Sequence, residues 1–476
     1  MSDGVLGNSY GANGFSVHTL ADGNSQIEDR SRKGRRSSLR GKFKASGSRR
    51  VASALALGLT ALSTLSLAVG SPGTAQAASS PAKTLEIGVF AAFSGANIFG
   101  PGEYSGCVPA VDLINADGGV LGSKLTCTII DDRGEPADAV LAARQALATS
   151  SNLVGIADSD SGYLSSIVPP FNQAKITFMS EGGDVGFDRN HYRYFWRTIP
   201  GDDVEGYAMA AWAKAQGWTR VAAIFGNDQG AQGNVPGLLA GAKRLGIKIV
   251  VNESVAPHQT SYASEITQLL AAHAQAIMTE MDPQTAGTFL GQLKQAGGLK
   301  VPIVGSGGTI GISWDNAAIA AIGRSNFKKY FKLLTIYAPS SGPAWKVWNK
   351  ALRASGKFMH NPAQWATQIY SEIPYDNVTL MALAMLAAHS TSPSKYNSFI
   401  PVVASAGHGK TIVHDYAQGK AALAAGKKIQ YVGVTGVIKF DKYHNSPGEF
   451  AAEVPGNNNS IAGILTPSDI SAAVGH

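Results

Sequence analysis

Residues Leu85–Asp132 read LEIGVFAAFSGANIFGPGEYSGCVPAVDLINADGGVLGSKLTCTIIDD. A short apolar run, Leu85–Ala92, leads into a Gly- and Ser-bearing loop at Phe93–Gly102. Over Glu103–Asn115, the residues Cys107, Val111 and Ile114 recur at helical spacing on one face. Asp117-Gly118-Gly119 ends that helix, and Lys124–Ile130 reads as a second strand before Asp131-Asp132. The pattern predicts a β-loop-α-β unit of a doubly wound sheet, in which ligands bind at loops after the carboxyl ends of strands.

The same order of elements continues. A helix over Pro136–Ser150 leads to a strand at Asn152–Ala157 and the polar loop Asp158–Gly162 (DSDSG). A further helix and the strand Ile176–Met179 end in Ser180–Asp184 (SEGGD). After a connection through Phe195–Gly206 the pattern recurs, with strands at Arg220–Phe225, Ile247–Glu253, Ala276–Glu280 and Val301–Val304. Helices at Pro236–Leu245, Tyr262–His273 and Thr285–Ala296 alternate with them. The last third adds a strand from Lys332, helices near Pro343–Ser355 and Tyr375–His389, and paired strands within Ile429–Asp441. It is too short for a third lobe and is expected to complete the first two. The predicted fold is therefore α/β: two doubly wound, Rossmann-like lobes joined by a multi-crossover hinge. The first lobe takes 84–200 plus 332–430, and the second 201–331 plus 431–463.

Charge separates a leader from this body. The chain of 476 residues carries a net +7, but residues 1–78 hold ten Lys/Arg against four Asp/Glu, so six of those seven charges lie there. The body gives no electrostatic case for a nucleic-acid partner. Residues 1–50 read as a disordered extension that turns basic from Arg30. At 51–78 an uncharged apolar run, Val51–Val69, is followed by small residues ending in Ala75-Gln76-Ala77, which describes an export signal cleaved near Ala77 or Ala78. The alternative is a retained membrane anchor. Arg49-Arg50 hints at twin-arginine export. The long segment before the signal suggests an assigned start upstream of the true one. No lipobox cysteine follows the apolar run, so the protein is expected in the periplasm or cell exterior. There the only two cysteines, Cys107 and Cys127, lie on adjacent elements and could form a disulfide; two buried thiols are the alternative.

Enzymatic signatures fail. Gly305-Ser306-Gly307-Gly308 lacks the third glycine of a dinucleotide loop, and Gly118–Lys124 has no P-loop GK[ST]. There is no HExxH, no GxSxG elbow and no EF-hand loop, and the ten histidines show no metal-ligand spacing. No cofactor or metal is expected. The aromatic run His191–Trp196 reads as core packing. By contrast, Ser94–Phe99, Asp158–Gly162, Ser180–Asp184, Asn227–Gln229, Glu280–Asp282 and Gly305–Gly308 all follow predicted strands with small or polar residues. Any one of them is ordinary turn chemistry; six converging from two facing halves make a ligand cleft. Ser161-Gly162, opening a helix, would suit a carboxylate.

These residues together resemble the solute-binding proteins of branched-chain-amino-acid-type ABC transporters, the leucine-binding-protein type of class I periplasmic binding proteins. The resemblance rests on Ile87-Gly88-Val89 leading to Phe93-Ser94-Gly95, on Ile114–Gly122 (INADGGVLG), on Asp131-Asp132 and on Tyr375-Asp376, and spans about Thr84–Gly463. It implies two lobes with three crossovers that close on a small ligand and hand it to a membrane permease, with no chemistry of their own. It further implies that Phe99, Ser161, Gly162, Gly182, Gly183 and Asp184 form the first-lobe site. In the second lobe, the positions of two tyrosines and an acid hold Gly230, Met281 and Gly307, which lack the side chains for those roles. Asp228, Gln229, Glu280 and Asp282 are the nearby polar residues, and one of the three acids is expected to replace the missing one. The reading is an exported, monomeric solute-binding protein for an amino acid or related compound, not an enzyme. Its rivals are a ligand-sensing receptor domain of the same fold and an exported α/β enzyme.

Overall fold

The computed structural model describes residues 83–95, 98–357, 361–455 and 460–475. The basic extension and export signal expected at 1–78 lie outside the described residues, as do Ala96 and Asn97 of the first loop.

β1 (Thr84–Ala91) and β2 (Lys124–Asp131) pair in parallel along their whole length. The helix between them, Gly100–Ala116, starts three residues before the amphipathic run, with Pro101 in its first turn. Cys107, Val111 and Ile114 are buried on its inner face. Gly118 and Gly119 have φ of 87° and 72°, and the Gly119 N–H donates to the Ile114 carbonyl at 2.9 Å, which closes the helix. At Gly106 a side chain would meet the Ser371 carbonyl at 2.1 Å, so only glycine lets the helix Ile369–Ala387 approach this closely. Cys107 and Cys127 form a disulfide, with Cα atoms 6.1 Å apart, that ties the first helix to β2.

β3 (Leu153–Asp158), β4 (Thr177–Ser180) and β5 (Phe195–Arg197) complete a parallel five-stranded sheet in the order β2-β1-β3-β4-β5. β3 and β4 are buried at every position, as a sheet covered on both faces requires. The first two residues of β5 come from the aromatic run read as core packing, of which Tyr194, Phe195 and Trp196 are buried.

A second sheet begins with β6 (Arg220–Gly226), β7 (Lys248–Val255), β8 (Ala276–Glu280), β9 (Ile303–Gly305) and β10 (Phe331–Ile336), all parallel. The chain then returns to the first lobe. There β11 (Thr411–Val413), β12 (Ile429–Gly433) and β13 (Gly436–Val437) form a small sheet, and Tyr431 and Val434 join the core of the first helix and Ile369–Ala387. It comes back as β14 (Phe450–Val454) and β15 (Ser460–Leu465), antiparallel on the edge of the second sheet, whose order is β15-β14-β10-β9-β8-β6-β7.

This pairing moves two expected lobe boundaries. β10 belongs to the second sheet although 332–430 was expected in the first lobe. β12 and β13 extend into 431–437, expected in the second, because the Tyr431 hydroxyl and the Val434 N–H are both held by Asp376 at 2.7 and 3.0 Å. The second lobe also continues past 463: Ile470 and Ala473 of the helix Pro467–Val474 join its core. The helix placed at Pro236–Leu245 spans Gln229–Arg244, with Pro236 inside it.

Three connections join the lobes, and they are bonded to one another. The Arg197 N–H donates to the His444 carbonyl at 2.9 Å and the Ser446 N–H to the Arg197 carbonyl at 2.9 Å, which links the first crossing to the third. The Tyr337 N–H donates to the Glu449 carbonyl at 2.8 Å, which links the second to the third. Trp196 stacks on the His444 ring at 3.8 Å between centroids.

Closing a loop of 20 residues by the disulfide is worth roughly 3 kcal/mol by chain entropy. Reduction, or the double change Cys107→Ala/Cys127→Ala, should lower the unfolding free energy measured by urea titration by about that amount and move the midpoint to lower urea. Coincident unfolding curves with and without reductant would show that the bridge contributes nothing.

Candidate functional site

The loops after the strand ends of both sheets face one another, but in the first lobe they are satisfied from within. Asp131 accepts from the Phe93 and Ser94 N–H groups at 2.9 and 3.2 Å and from the Ser94 hydroxyl at 2.6 Å, which pins the first loop. Phe99 is half-buried at the start of the first helix, its N–H donating to the Ala92 carbonyl at 3.1 Å. The glycine N–H groups expected to hold a ligand carboxylate are already taken, whereas the Ser161 hydroxyl accepts a bond and keeps its own proton to donate. The Gly162 N–H donates to Asp160 at 2.6 Å, the Gly182 N–H to the Ser180 hydroxyl at 2.8 Å, and the Gly183 N–H to the Ser161 hydroxyl at 2.7 Å. The Asp160 carboxylate therefore occupies the helix N-terminus that Ser161-Gly162 was expected to offer to a solute. Beyond it, Arg197 donates to the carbonyls of Gly183 and Asp184 at 2.9 and 3.0 Å and pairs with Asp188 at 2.6 Å. This holds the SEGGD loop in shape.

In the second lobe the three candidate acids have different fates. Asp228 caps the helix Gln229–Arg244 through the Ala231 N–H at 2.9 Å. Asp282 caps the helix Pro283–Gln295 through the Gln284 and Thr285 N–H groups, both at 3.0 Å, and lies 3.3 Å from His258. Glu280 caps nothing. It leaves the end of β8 and accepts from Asn234 at 3.0 Å and from the Ser306 hydroxyl through one oxygen, Oε2. Its other oxygen, Oε1, would lie 2.3 Å from a Cβ at Gly308 and 3.6 Å from one at Gly230. Met281 points into the lobe core, buried beside Trp314. A side chain at Gly307 would meet the Tyr370 hydroxyl at 2.5 Å, so Tyr370 fills the space that an acid there would take, while Glu205 accepts the Gly307 N–H at 2.8 Å.

The lobes touch. The Gln229 amide donates to Asp184 at 2.7 Å across the cleft, and a Cβ at Gly230 would lie 3.8 Å from that of Ser161. Asp184, Gln229, Ser161, Gly230 and Glu280 are thus brought together, whereas Asp282 and Met281 are turned to structural work.

Residues 84–449 match the family model described as periplasmic binding protein. The chain belongs to that family. Its members bind rather than catalyse, so no enzymatic activity is assigned. Leu/Ile/Val-binding protein homolog 3 of Brucella melitensis is 26% identical over 228 residues, covering 47% of this chain and 61% of that protein. A probable metabotropic glutamate receptor, mgl-1, of Caenorhabditis elegans is 27% identical over 116 residues, 24% of this chain and 12% of the receptor. This chain therefore spans less than two thirds of either relative. The structure of the branched-chain amino acid binding protein LivJ from Streptococcus pneumoniae, in complex with isoleucine, superposes with a TM-score of 0.62 at 20% identity, covering 80% of this chain and 99% of LivJ. That likeness establishes a shared two-lobed α/β fold.

The cleft of this chain is rich in carboxylate. Asp158 and Glu181 lie in loops read from the sequence as lining the cleft, without a role of their own, whereas Glu103, Asp202 and Glu205 stood in no candidate loop. Burial, the charges of Glu280 and Glu205, and neighbouring Asp160 push the Asp202 carboxyl up, against the pull of Arg197. Burial and the Glu280 charge do the same for Glu205. Glu280 is pushed up to about 8 by burial and by the Asp228 charge, which outweigh its bonds to Ser306 and Asn234. Tyr370 stands among these acids, its phenol pushed up by burial and then by Glu205, Glu181 and Glu280.

A carboxyl that keeps its proton to about pH 8 in the fold, but only to the ordinary glutamate range of about 4.3 when unfolded, stabilises the fold fully below that range. The contribution is lost as pH rises through 8. The melting temperature of the ligand-free protein should therefore fall between pH 5 and pH 8.5, and Glu280→Gln should flatten the fall. A melting temperature constant over that range in the parent protein would contradict the assignment.

Proposed function

We propose that this protein is an exported, monomeric solute-binding protein that captures a small organic solute between its lobes and delivers the closed form to an ABC permease. Support comes from the family, from the two-lobed fold shared with a protein that holds isoleucine, and from the tied crossings, which suit hinge closure. The signal pattern at 51–78 and the Cys107–Cys127 bridge support a place outside the cytoplasm.

The solute is a small organic cation without a carboxylate, such as an amine or guanidine. One observation carries this reading: the N–H groups that would hold a carboxylate are filled by Asp160, Ser180 and Ser161, while Glu280 opposes them across the cleft. The charges that act most on Glu280 are themselves acidic, Asp228 and Asp160, so a cationic head would relieve repulsion as well as gain an ion pair.

A thermal-shift screen in EDTA tests this against alkylamines, quaternary amines, guanidines, branched-chain amino acids and simple carboxylates. Saturation at one hundred times the dissociation constant adds about 2.7 kcal/mol to apparent stability. An amine or guanidine should raise the melting temperature, and Glu280→Gln should remove the shift. Leucine, isoleucine or a carboxylate acting where the amines do not would overturn the reading.

A further inference from the structure

Three carboxylates meet beneath the first-lobe loops: Glu103 from the first turn of the Gly100–Ala116 helix, Asp158 from the end of β3 and Glu181 just after β4. One oxygen of each lies within 4.8 Å of the others. Their side chains are 3%, 0% and 8% exposed, and Glu103 Oε2, Asp158 Oδ2 and Glu181 Oε2 are buried without a hydrogen-bond partner outside the cluster. We propose that Glu103, Asp158 and Glu181 form a buried site for one hard divalent cation of the Ca2+ or Mn2+ kind.

The chemistry of the donors selects the ion. All three are carboxylate oxygens, which suit hard cations and not the thiolate- or imidazole-seeking metals. Three oxygens all within 4.8 Å of one another lie no more than about 2.8 Å from a common centre, so a small inward movement at most brings them to the 2.3–2.6 Å of Ca2+–oxygen bonds. Burial of all three leaves no open face from which the carbon chain of an alkylammonium could run. A bare ion fits, and it takes the place of the protons through which Glu181 otherwise bonds Glu103 and Asp158, leaving all three carboxylates charged and paired. The site is also built to hold its shape. The Ser159 N–H donates to Asp158 Oδ1 at 2.8 Å and turns Oδ2 toward the cluster, while the Ser180 hydroxyl donates to the Ser159 carbonyl at 3.0 Å. The charges that act most on Glu103 are all acids: Asp158, Asp132 and Asp160. This inference does not depend on which solute fills the cleft.

Calorimetric titration of the purified protein, stripped with EDTA and free of organic solute, with Ca2+, Mn2+ and Mg2+ provides the test. One equivalent of Ca2+ or Mn2+ should bind. Glu103→Gln and Asp158→Asn should each weaken binding beyond the roughly 10–100-fold that outer-sphere changes cost, with the far-ultraviolet circular dichroism unchanged. Should a variant fail to fold, anomalous diffraction from crystals of the parent protein grown with Mn2+ decides: a peak among the three carboxylates supports the site, and a peak only elsewhere overturns it. Absence of binding at millimolar Ca2+ and Mn2+, or binding that survives both changes, overturns it as well. The organic-cation screen is run in EDTA, so either reading can fail without the other.

Discussion

Among the described residues, Arg197 is the only Lys or Arg whose side chain is buried, at 2% exposure, and much of the cleft hangs on it. Its guanidinium holds two consecutive carbonyls and the Asp188 carboxylate, while its own backbone forms the rung between the first and third crossings. One residue therefore shapes the SEGGD loop and anchors the hinge. A planar fork of donors suits such a position; a lysine would supply charge without the geometry.

Around that single cation the chain has placed an excess of acid. Buried carboxylates are normally paired or protonated, and Glu103, Asp158, Glu181, Asp202, Glu205 and Glu280 are all raised, first by burial and then by neighbouring acids, Asp160 and Asp228 among them. The ligand-free cleft thus holds protons that a cation could displace. The same arrangement disfavours anions: a solute carboxylate would meet Asp160 where the fold otherwise offers open N–H groups.

The fold was legible where periodicity and glycine position act locally. The opening unit, the alternation of strands and helices and the loops at strand ends follow from apolar spacing and from turns such as Gly118-Gly119. The lobe boundaries did not, because β10 and β12 resemble any other short apolar strand, and only pairing shows which sheet each enters. β5 has three residues and β14–β15 follow a change of direction, so neither leaves a clear periodic mark. The site was half legible. Glu280 was among the replacements expected for the missing acid, but Asp228 and Asp282 share its composition and turn out to cap helices. Glu103, Asp202 and Glu205 sit in first helical turns, where an acid is already explained by the helix dipole. Only tertiary convergence distinguishes them. Tyr370 lies near the start of a helix with nothing local to mark it, and it matters because Gly307 across the cleft leaves it room.

The rungs between the crossings have a consequence for how the lobes find each other. Three separate tethers would let the lobes swing and twist about several axes. Bonded through Arg197, His444, Ser446, Tyr337 and Glu449, they behave as one narrow ribbon, for which bending is easy and shearing is not. Each lobe then sees its partner at a permanently high effective concentration. A solute need not gather two bodies from solution; it only has to bias a bend that the ribbon already permits, and most of its binding energy remains available for retention.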